Sequence, residues 1–337
     1  MRAVAYSAPL PITDEQSLVD IDMPVPEPTG RDLLVEIKAV SVNPVDVKIR
    51  GHRPPRNGPQ TVLGYDASGI VKATGPDATL FKPGDAVYYA GAINRQGTNS
   101  EFHLVDERIV GRKPKSLDFP AAAALPLTAI TAYEALFDRL KVQDPVPGEH
   151  RSILIVGGAG GVGSIAIQIA RALTDLTVIA TASRPETKDW VKQLGAHHVI
   201  DHSEAMAPQV EALGIPAPGF AFITNDSGRH GGDVAALIAP QGRVALIDDP
   251  ASFDIMPFKM KAVSIHWEMM FARPVFQTGD IEAQHRLLDQ VADLVDAGAI
   301  RSTLTDVLGP INAATLKKAH ALIETNKTRG KLVLAGF

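Results

Sequence analysis

Residues 153–170, ILIVGGAGGVGSIAIQIA, decide how the rest of the chain is read. The apolar run 153–156 has the length and composition of a fully buried strand. Glycines follow at Gly157, Gly158, Gly160, Gly161 and Gly163, and the Ile/Ala-rich stretch 165–170 before polar Arg171 reads as a helix packed on a sheet. Gly158, Gly160 and Gly163 match G-x-G-x-x-G, with Gly161 and Val162 inside the motif. The spacing has a chemical reason. One glycine permits the tight turn, one lets backbone N–H groups approach a pyrophosphate, and one lets the helix lie close to the strand. The phosphates then rest at the positive helix N-terminus. Set between a strand and a helix, the glycines predict a dinucleotide site; the alternative is a Gly-rich turn without a ligand.

Downstream, strands are expected over 177–181, 198–200, 220–224, 243–247 and 262–267, with helices over 186–194 and 233–238 between them. Strands separated by helices imply a parallel, doubly wound sheet. Upstream, 2–6, 33–42, SGIVKAT within 62–74, AVYY after the Pro-Gly-Asp turn of 81–89, 101–105 and 109–111 read as short strands broken by Pro and Gly, with a loop over 22–30 and a short helix after Asn43-Pro44. The pattern changes near Pro120, where 121–125 and 127–140 become Ala/Leu-rich and helical. An amphipathic helix over 281–297 stops at Gly298, and a strand over 304–308, a helix over 313–325 and a strand over 331–334 close the chain.

A chain of 337 residues suggests two domains. Its 45% hydrophobic content suffices for ordinary cores, and its formal charge of −5 argues against nucleic-acid or acidic-membrane binding. Cysteine is absent, which removes disulfides, thiolate nucleophiles and every Cys-based metal site. Met1 leads directly into a strand-like run, and no apolar run reaches about 18 residues, so neither a signal segment nor a membrane span is expected. A cytoplasmic protein is the default. Hydrolase and NTPase motifs are missing: there is no Gly-x-Ser-x-Gly, His-Glu-x-x-His or Walker sequence.

The second strand predicts the cofactor. An NAD site carries Asp or Glu about 20 residues beyond the glycines, to hold the ribose 2′-OH. Here Ser183 and Arg184 stand there. A hydroxyl and a guanidinium suit a 2′-phosphate, hence NADP (as NADPH). Lys188 adds a second positive charge, His202 lines the same pocket, and the first acid is Glu186. The alternative reading of Arg184 and Lys188 is solvated surface charge.

The β-rich N-terminal part, LPLTAITAYEAL at 125–136, VGGAGGVGS at 156–164 and GKLVL at 330–334 together resemble a medium-chain dehydrogenase/reductase, in particular its quinone oxidoreductase branch. The resemblance covers essentially the whole chain. It implies an α/β fold: a β-rich GroES-like catalytic domain over 1–126 with 273–337, and a doubly wound parallel-sheet Rossmann domain over 127–272. The zinc alcohol dehydrogenases of this superfamily carry Cys-x-x-Asp, Gly-His-Glu and a later ligand. This chain has Asn43-Pro44-Val45-Asp46 and Gly64-Tyr65-Asp66, and only 91–100 where a four-cysteine lobe would stand. Both early ligands are replaced, so no metal site is expected.

Without that Lewis acid, alcohol oxidation lacks the group that stabilises an alkoxide. The resemblance implies hydride transfer from NADPH to a small electrophilic acceptor, a quinone or an α,β-unsaturated carbonyl. It also implies a homodimer; the negative charge, the lack of a basic stripe and the lack of a long apolar run argue against a nucleic-acid or membrane partner. By match to the family, Thr128 contacts the nicotinamide or its ribose, Asn43 and Asp46 lie near the cleft, and Leu246 and Ile247 flank the nicotinamide. Tyr65, in a lost ligand position, offers its hydroxyl to a substrate oxygen or is a core tyrosine. Asp46 is catalytic or caps the following helix. Asn326 is a cofactor contact, and Lys331 belongs to the same return or is a surface charge. The run 266–271, HWEMMF, walls an apolar pocket or forms core or subunit interface. Two other functions remain open: an NADPH-binding protein without catalysis, crystallin-like or regulatory, and a zinc-free alcohol dehydrogenase.

Overall fold

The computed structural model describes residues 1–337 except Asn57 and Glu149. The chain divides into two compact units, Met1–Ile130 with Phe271–Phe337, and Thr131–Met270.

The first unit is built on the strand Asp32–Ser41, a ten-residue segment with Leu, Val or Ile at half its positions. Ala67–Thr74 pairs antiparallel along one edge; Phe102–Asp106 and Lys331–Ala335 share the other. Because the strand is paired on both edges and covered on its faces, its burial is nearly continuous rather than alternating. The sheet runs Leu304–Val307, Lys331–Ala335, Asp32–Ser41, Ala67–Thr74, Ala86–Tyr89, Val110–Arg112, with Phe102–Asp106 off this path. A second sheet sets Arg2–Tyr6 between Val19–Asp22 and Thr61–Val62. The sequence does not announce Val19–Asp22. It is only four residues long, Val and Ile alternating with Asp, and it is a strand because Arg2–Tyr6 supplies its partners.

The helix read after Asn43 spans Pro44–His52. The one read over 127–140 is α-helical only across Pro126–Tyr133, then widens into a π-helical segment, Glu134–Arg139, whose Leu140 N–H reaches back to the Ala135 carbonyl at 2.9 Å. The helical run Phe119–Arg139 is long and apolar enough to cross a membrane by length and composition, against the sequence expectation. However, 78% of its most apolar window is buried in the protein.

The second unit holds six parallel strands in the order His198–Ile200, Thr177–Thr181, Ser152–Val156, Phe220–Ile223, Arg243–Leu246, Ser264–Trp267. In chain order this is 3-2-1-4-5-6, the doubly wound arrangement whose crevice opens where the order reverses, between Ser152–Val156 and Phe220–Ile223. Leu154, Val156, Ile179, Ala221, Ile223, Val244 and Leu246 fill the core with Val210, Val234 and Phe258. The short helix Met206–Glu211 escapes sequence reading because Pro208 looks like a breaker, yet Pro is tolerated in a helix's first turn.

Candidate active site

In the second unit the apolar run becomes the strand Ser152–Val156, and the helix extends over Gly161–Leu173, longer at both ends than 165–170. Gly157 turns the chain with φ +77°, a left-handed conformation that a side chain disfavours. Gly163 is required by contact: a Cβ there would sit 2.3 Å from the Gly157 carbonyl oxygen and 2.7 Å from Gly158 Cα. Gly160 is different. A Cβ on it would meet nothing closer than the Gly157 oxygen at 3.5 Å, so its approach face is open. The first helical hydrogen bond runs from Ser164 N–H to the Gly160 carbonyl at 2.9 Å. The N–H groups of Gly161, Val162 and Gly163 precede it and so have no intrahelical acceptor. An open face next to these N–H groups fits a pyrophosphate.

Thr181, closing the second strand, ties the turn down. Its Oγ1 accepts from Gly157 N–H at 3.0 Å, its carbonyl accepts from Gly158 N–H at 3.0 Å, and its hydroxyl meets His202 Nδ1 at 2.8 Å. His202 therefore stands at this site, edge-on to His230, and burial together with that second imidazole lowers its pKa. Neither Thr181 nor His230 is singled out by a motif. A hydroxyl ending the second strand is the one signal that points to Thr181.

Ser183 and Arg184 follow at once, half-buried, and Arg184 caps the helix Pro185–Gln193. Arg184 Nε lies 3.0 Å from Glu186 Oε1, and Lys188 Nζ lies 2.8 Å from Asp201 Oδ2. Neither cation is simply solvated. Leu246 is corrected: strand alternation sends its side chain into the core, leaving half-buried Ile247 as the residue that emerges from the strand.

The first unit gathers Asn43, Asp46, Tyr65, Asp66 and Lys331. Asp46 Oδ2 accepts from Asn43 N–H at 2.8 Å and Oδ1 from Gly64 N–H at 3.0 Å. Both oxygens thus hold backbone; the N-cap of the helix is Asn43, and Asp46 stands inside the helix, three residues on, and completes the capping box. Burial pushes its pKa up to about 7. Asn43 Nδ2 donates to Asp66 Oδ2 at 2.9 Å, and its Oδ1 accepts from Lys331 Nζ. Lys331 also donates to the Val42 carbonyl at 3.0 Å and lies 3.1 Å from Asp66 Oδ2. Asp66 Oδ1 accepts Leu127 N–H at 2.7 Å, which fixes the helix start that carries Thr128. The Thr128 hydroxyl donates to the Leu125 carbonyl at 3.0 Å and keeps its lone pairs. Lys331 is only 3% exposed, so the surface-charge reading of it is wrong. Its position opening an apolar strand hid a partner 288 residues away.

Tyr65 is 1% exposed, with its ring edge-to-face against Phe271 at 5.4 Å. Burial first, then the Asp46 carboxylate, raises its pKa, so it stays a proton donor at neutral pH. Asn326 stands apart: it is exposed, at φ +54° in the turn that ends the helix Ala313–Glu324, and its N–H bonds the Ile323 carbonyl. That turn explains an asparagine without a cofactor. The run 266–271 is split, with Trp267 and Met269 exposed and Met270 and Phe271 buried.

A zinc ion does not fit the first-unit cluster. The Lys331 ammonium lies against Asn43 Oδ1 and Asp66 Oδ2, and the Asp46 oxygens are held by N–H groups. Among the described residues no group of three or more His, Cys, Asp or Glu is placed to hold a metal ion.

The sequence profile of the alcohol dehydrogenase GroES-like domain matches residues 29–115, and that of the zinc-binding dehydrogenases matches 194–334. A zinc-type alcohol dehydrogenase-like protein of Staphylococcus aureus is 39% identical over 336 residues, covering 99% of both chains. The human mitochondrial NAD(P)H oxidoreductase RTN4IP1 is 32% identical over 90% of this chain and 81% of its own. Among solved structures, a Rhizobium etli protein described as a candidate zinc-dependent alcohol dehydrogenase is 65% identical with a TM-score of 0.99, covering 100% of this chain and 98% of its own. A Coxiella burnetii quinone oxidoreductase is 26% identical with a TM-score of 0.80, over 100% and 99%. A mycobacterial protein solved with NADPH is 26% identical with a TM-score of 0.80, over 99% and 100%. With a GroES-like sheet unit, a 3-2-1-4-5-6 parallel sheet and relatives matched end to end, the chain is an oxidoreductase of the medium-chain dehydrogenase/reductase superfamily.

Proposed function

We propose that the protein is a zinc-independent, NADPH-dependent reductase that passes hydride to a quinone or an α,β-unsaturated carbonyl. The observation that carries this reading is the Lys331 ammonium seated between Asn43 Oδ1 and Asp66 Oδ2, which leaves the cluster a tyrosine acid in place of a metal. The NADPH-bound mycobacterial relative and the quinone oxidoreductase from Coxiella burnetii support the cofactor and the acceptor class.

When bound, NADPH supplies hydride from C4 of its nicotinamide. The N–H groups of 161–163 hold the pyrophosphate, and Ser183 and Arg184 receive the 2′-phosphate. Tyr65 keeps its proton and donates a hydrogen bond to the acceptor oxygen, where negative charge develops. Asp46 acts through backbone: by holding Gly64 N–H it sets the direction of the next residue, Tyr65. Asn43, Asp66 and Lys331 brace the same segment. A homodimer belongs to this reading. Ser264–Trp267 ends its sheet without a further strand among the described residues, and such an edge is a template for a second copy. Exposed Met260, Trp267 and Met269 flank it.

The test is NADPH oxidation with a simple ortho-quinone and with an enone, run beside NADH and beside a chelator. NADPH-selective turnover indifferent to chelator is expected, and Tyr65→Phe should lower kcat by about 10²-fold. Chelator-sensitive turnover would sink the zinc-independent reading. Unchanged turnover in Tyr65→Phe would return Tyr65 to the core. Cofactor binding without turnover of either acceptor would overturn this reading in favour of the binding-protein or zinc-free alcohol dehydrogenase alternative.

A further inference from the structure

The end of the second strand carries two cations, and each is already engaged by an acid of the same site. Arg184 Nε lies 3.0 Å from Glu186 Oε1, within one turn of chain, and Lys188 Nζ lies 2.8 Å from Asp201 Oδ2. The two pairs differ. Asp201 is built in: its Oδ1 also accepts from Ser203 N–H at 2.9 Å and from Ser203 Oγ at 2.5 Å. Glu186 is held by Arg184 alone among the described residues, with its side chain 59% exposed. It sits in the first turn of Pro185–Gln193, where the helix dipole also favours a negative charge. Pro185 opens that helix and has no N–H to offer an anion. Recognition of an anion at this corner therefore falls on the guanidinium that Glu186 occupies.

We propose that Glu186 is a specificity-determining residue that stands in for the cofactor's 2′-phosphate on Arg184 and must yield when that phosphate arrives. A 2′-hydroxyl is neutral and does not displace a carboxylate from a guanidinium. A phosphate monoester carries nearly two negative charges and three acceptor oxygens, and it does. Glu186 thus weakens binding of the phosphorylated cofactor while leaving the unphosphorylated one untouched. It also keeps the empty site from holding stray anions. This rests on the NADPH reading above.

The probes are 2′,5′-ADP and 5′-AMP, titrated calorimetrically into wild-type protein, Glu186→Gln and Arg184→Ala. Wild type should prefer 2′,5′-ADP. Glu186→Gln should tighten 2′,5′-ADP by about two- to five-fold, the range set by an exposed ion pair, and leave 5′-AMP unchanged. The gain should shrink as salt is raised. Arg184→Ala should weaken 2′,5′-ADP by about ten-fold or more and abolish the effect of Glu186→Gln in the double variant. If wild type shows no preference for 2′,5′-ADP, the NADPH reading fails and takes this proposal with it. If wild type has the preference but Glu186→Gln does not tighten 2′,5′-ADP, only the proposal falls. A loss of 5′-AMP binding in Glu186→Gln would also overturn it, making Glu186 a ribose acceptor instead.

Discussion

Lys331 opens the last strand with a charge that the fold buries completely against Val42, Asn43 and Asp66. Two opposite charges at 3% and 0% side-chain exposure survive because each is matched, and Asp66 in addition accepts N–H groups from Asn43 and Leu127. Removing one partner strands the other. Lys331→Met should cost about 3–5 kcal/mol of stability in urea unfolding, and adding Asp66→Asn to it should recover part of the loss. A double variant no more stable than Lys331→Met would show that the ammonium does not act through Asp66. The residues of this cluster are visible singly in the sequence: Asn43 and Tyr65 stand out as departures from a zinc-ligand pattern. Their partner is not, because the contact joins positions 288 residues apart. Thr181 and Glu186 look ordinary for a related reason. Their importance comes from what the neighbouring strand end and helix turn bring within 3.0 Å.

The strands and helices that carry the site were legible where a local cause suffices. The run 177–181 is a strand because β-branched and apolar residues fill it, and it is observed at those residues. The glycine turn reads correctly because Gly157 needs a left-handed φ and Gly163 meets backbone within 2.7 Å; both constraints are local. Elements that depend on a partner were missed or misjudged, as with Val19–Asp22 and the π-helical Glu134–Arg139, where Arg139 reaches buried Glu268 at 2.8 Å. The edge strand Ser264–Trp267 permits a sharp test of the proposed dimer. Ser264 N–H and Glu268 N–H bond inward to the Gly242 and Leu246 carbonyls, at 3.0 Å and 2.9 Å. By alternation, Ile265 and Trp267 point theirs to the free edge. A proline there removes an outward donor and no internal one. Ile265→Pro should sediment at half the wild-type mass with its circular dichroism retained; an unchanged mass would rule out pairing through this edge.

At the scale of the whole molecule, burial shifts titratable groups in both directions, and each shift acts on stability in its own pH window. In the first unit, burial lowers His103 from 6.5 to about 4 and His320 to about 3. At these two sites the unfolded chain therefore binds more protons than the folded one below pH 6.5, and their contribution to stability falls as pH drops from 6.5 through 4. In the second, burial and the neighbouring Glu134 raise Glu268 far above its ordinary 4.5. Its contribution is complete below that value and is lost as pH rises through the raised one. In His103→Gln the fall of the urea midpoint between pH 6.5 and 4 should be smaller than in wild type, because the proton that His103 takes up on unfolding is removed. An unchanged pH dependence would show that His103 does not contribute to it. The sequence alone determined the β-rich unit, the alternating strand–helix unit, the glycine-rich turn between strand and helix, and the presence of Asn43 and Tyr65 where a zinc-ligand pattern has Cys and His, since each follows from short-range residue pattern and side-chain chemistry. Only the tertiary structure decided which polar side chains are paired and where: Lys331 with Asp66 in the interior, Arg139 with buried Glu268, and Arg184 with Glu186 and Lys188 with Asp201 nearer the surface. A charge's state depends on its neighbours in space and on the water they exclude, and neither is written along the chain.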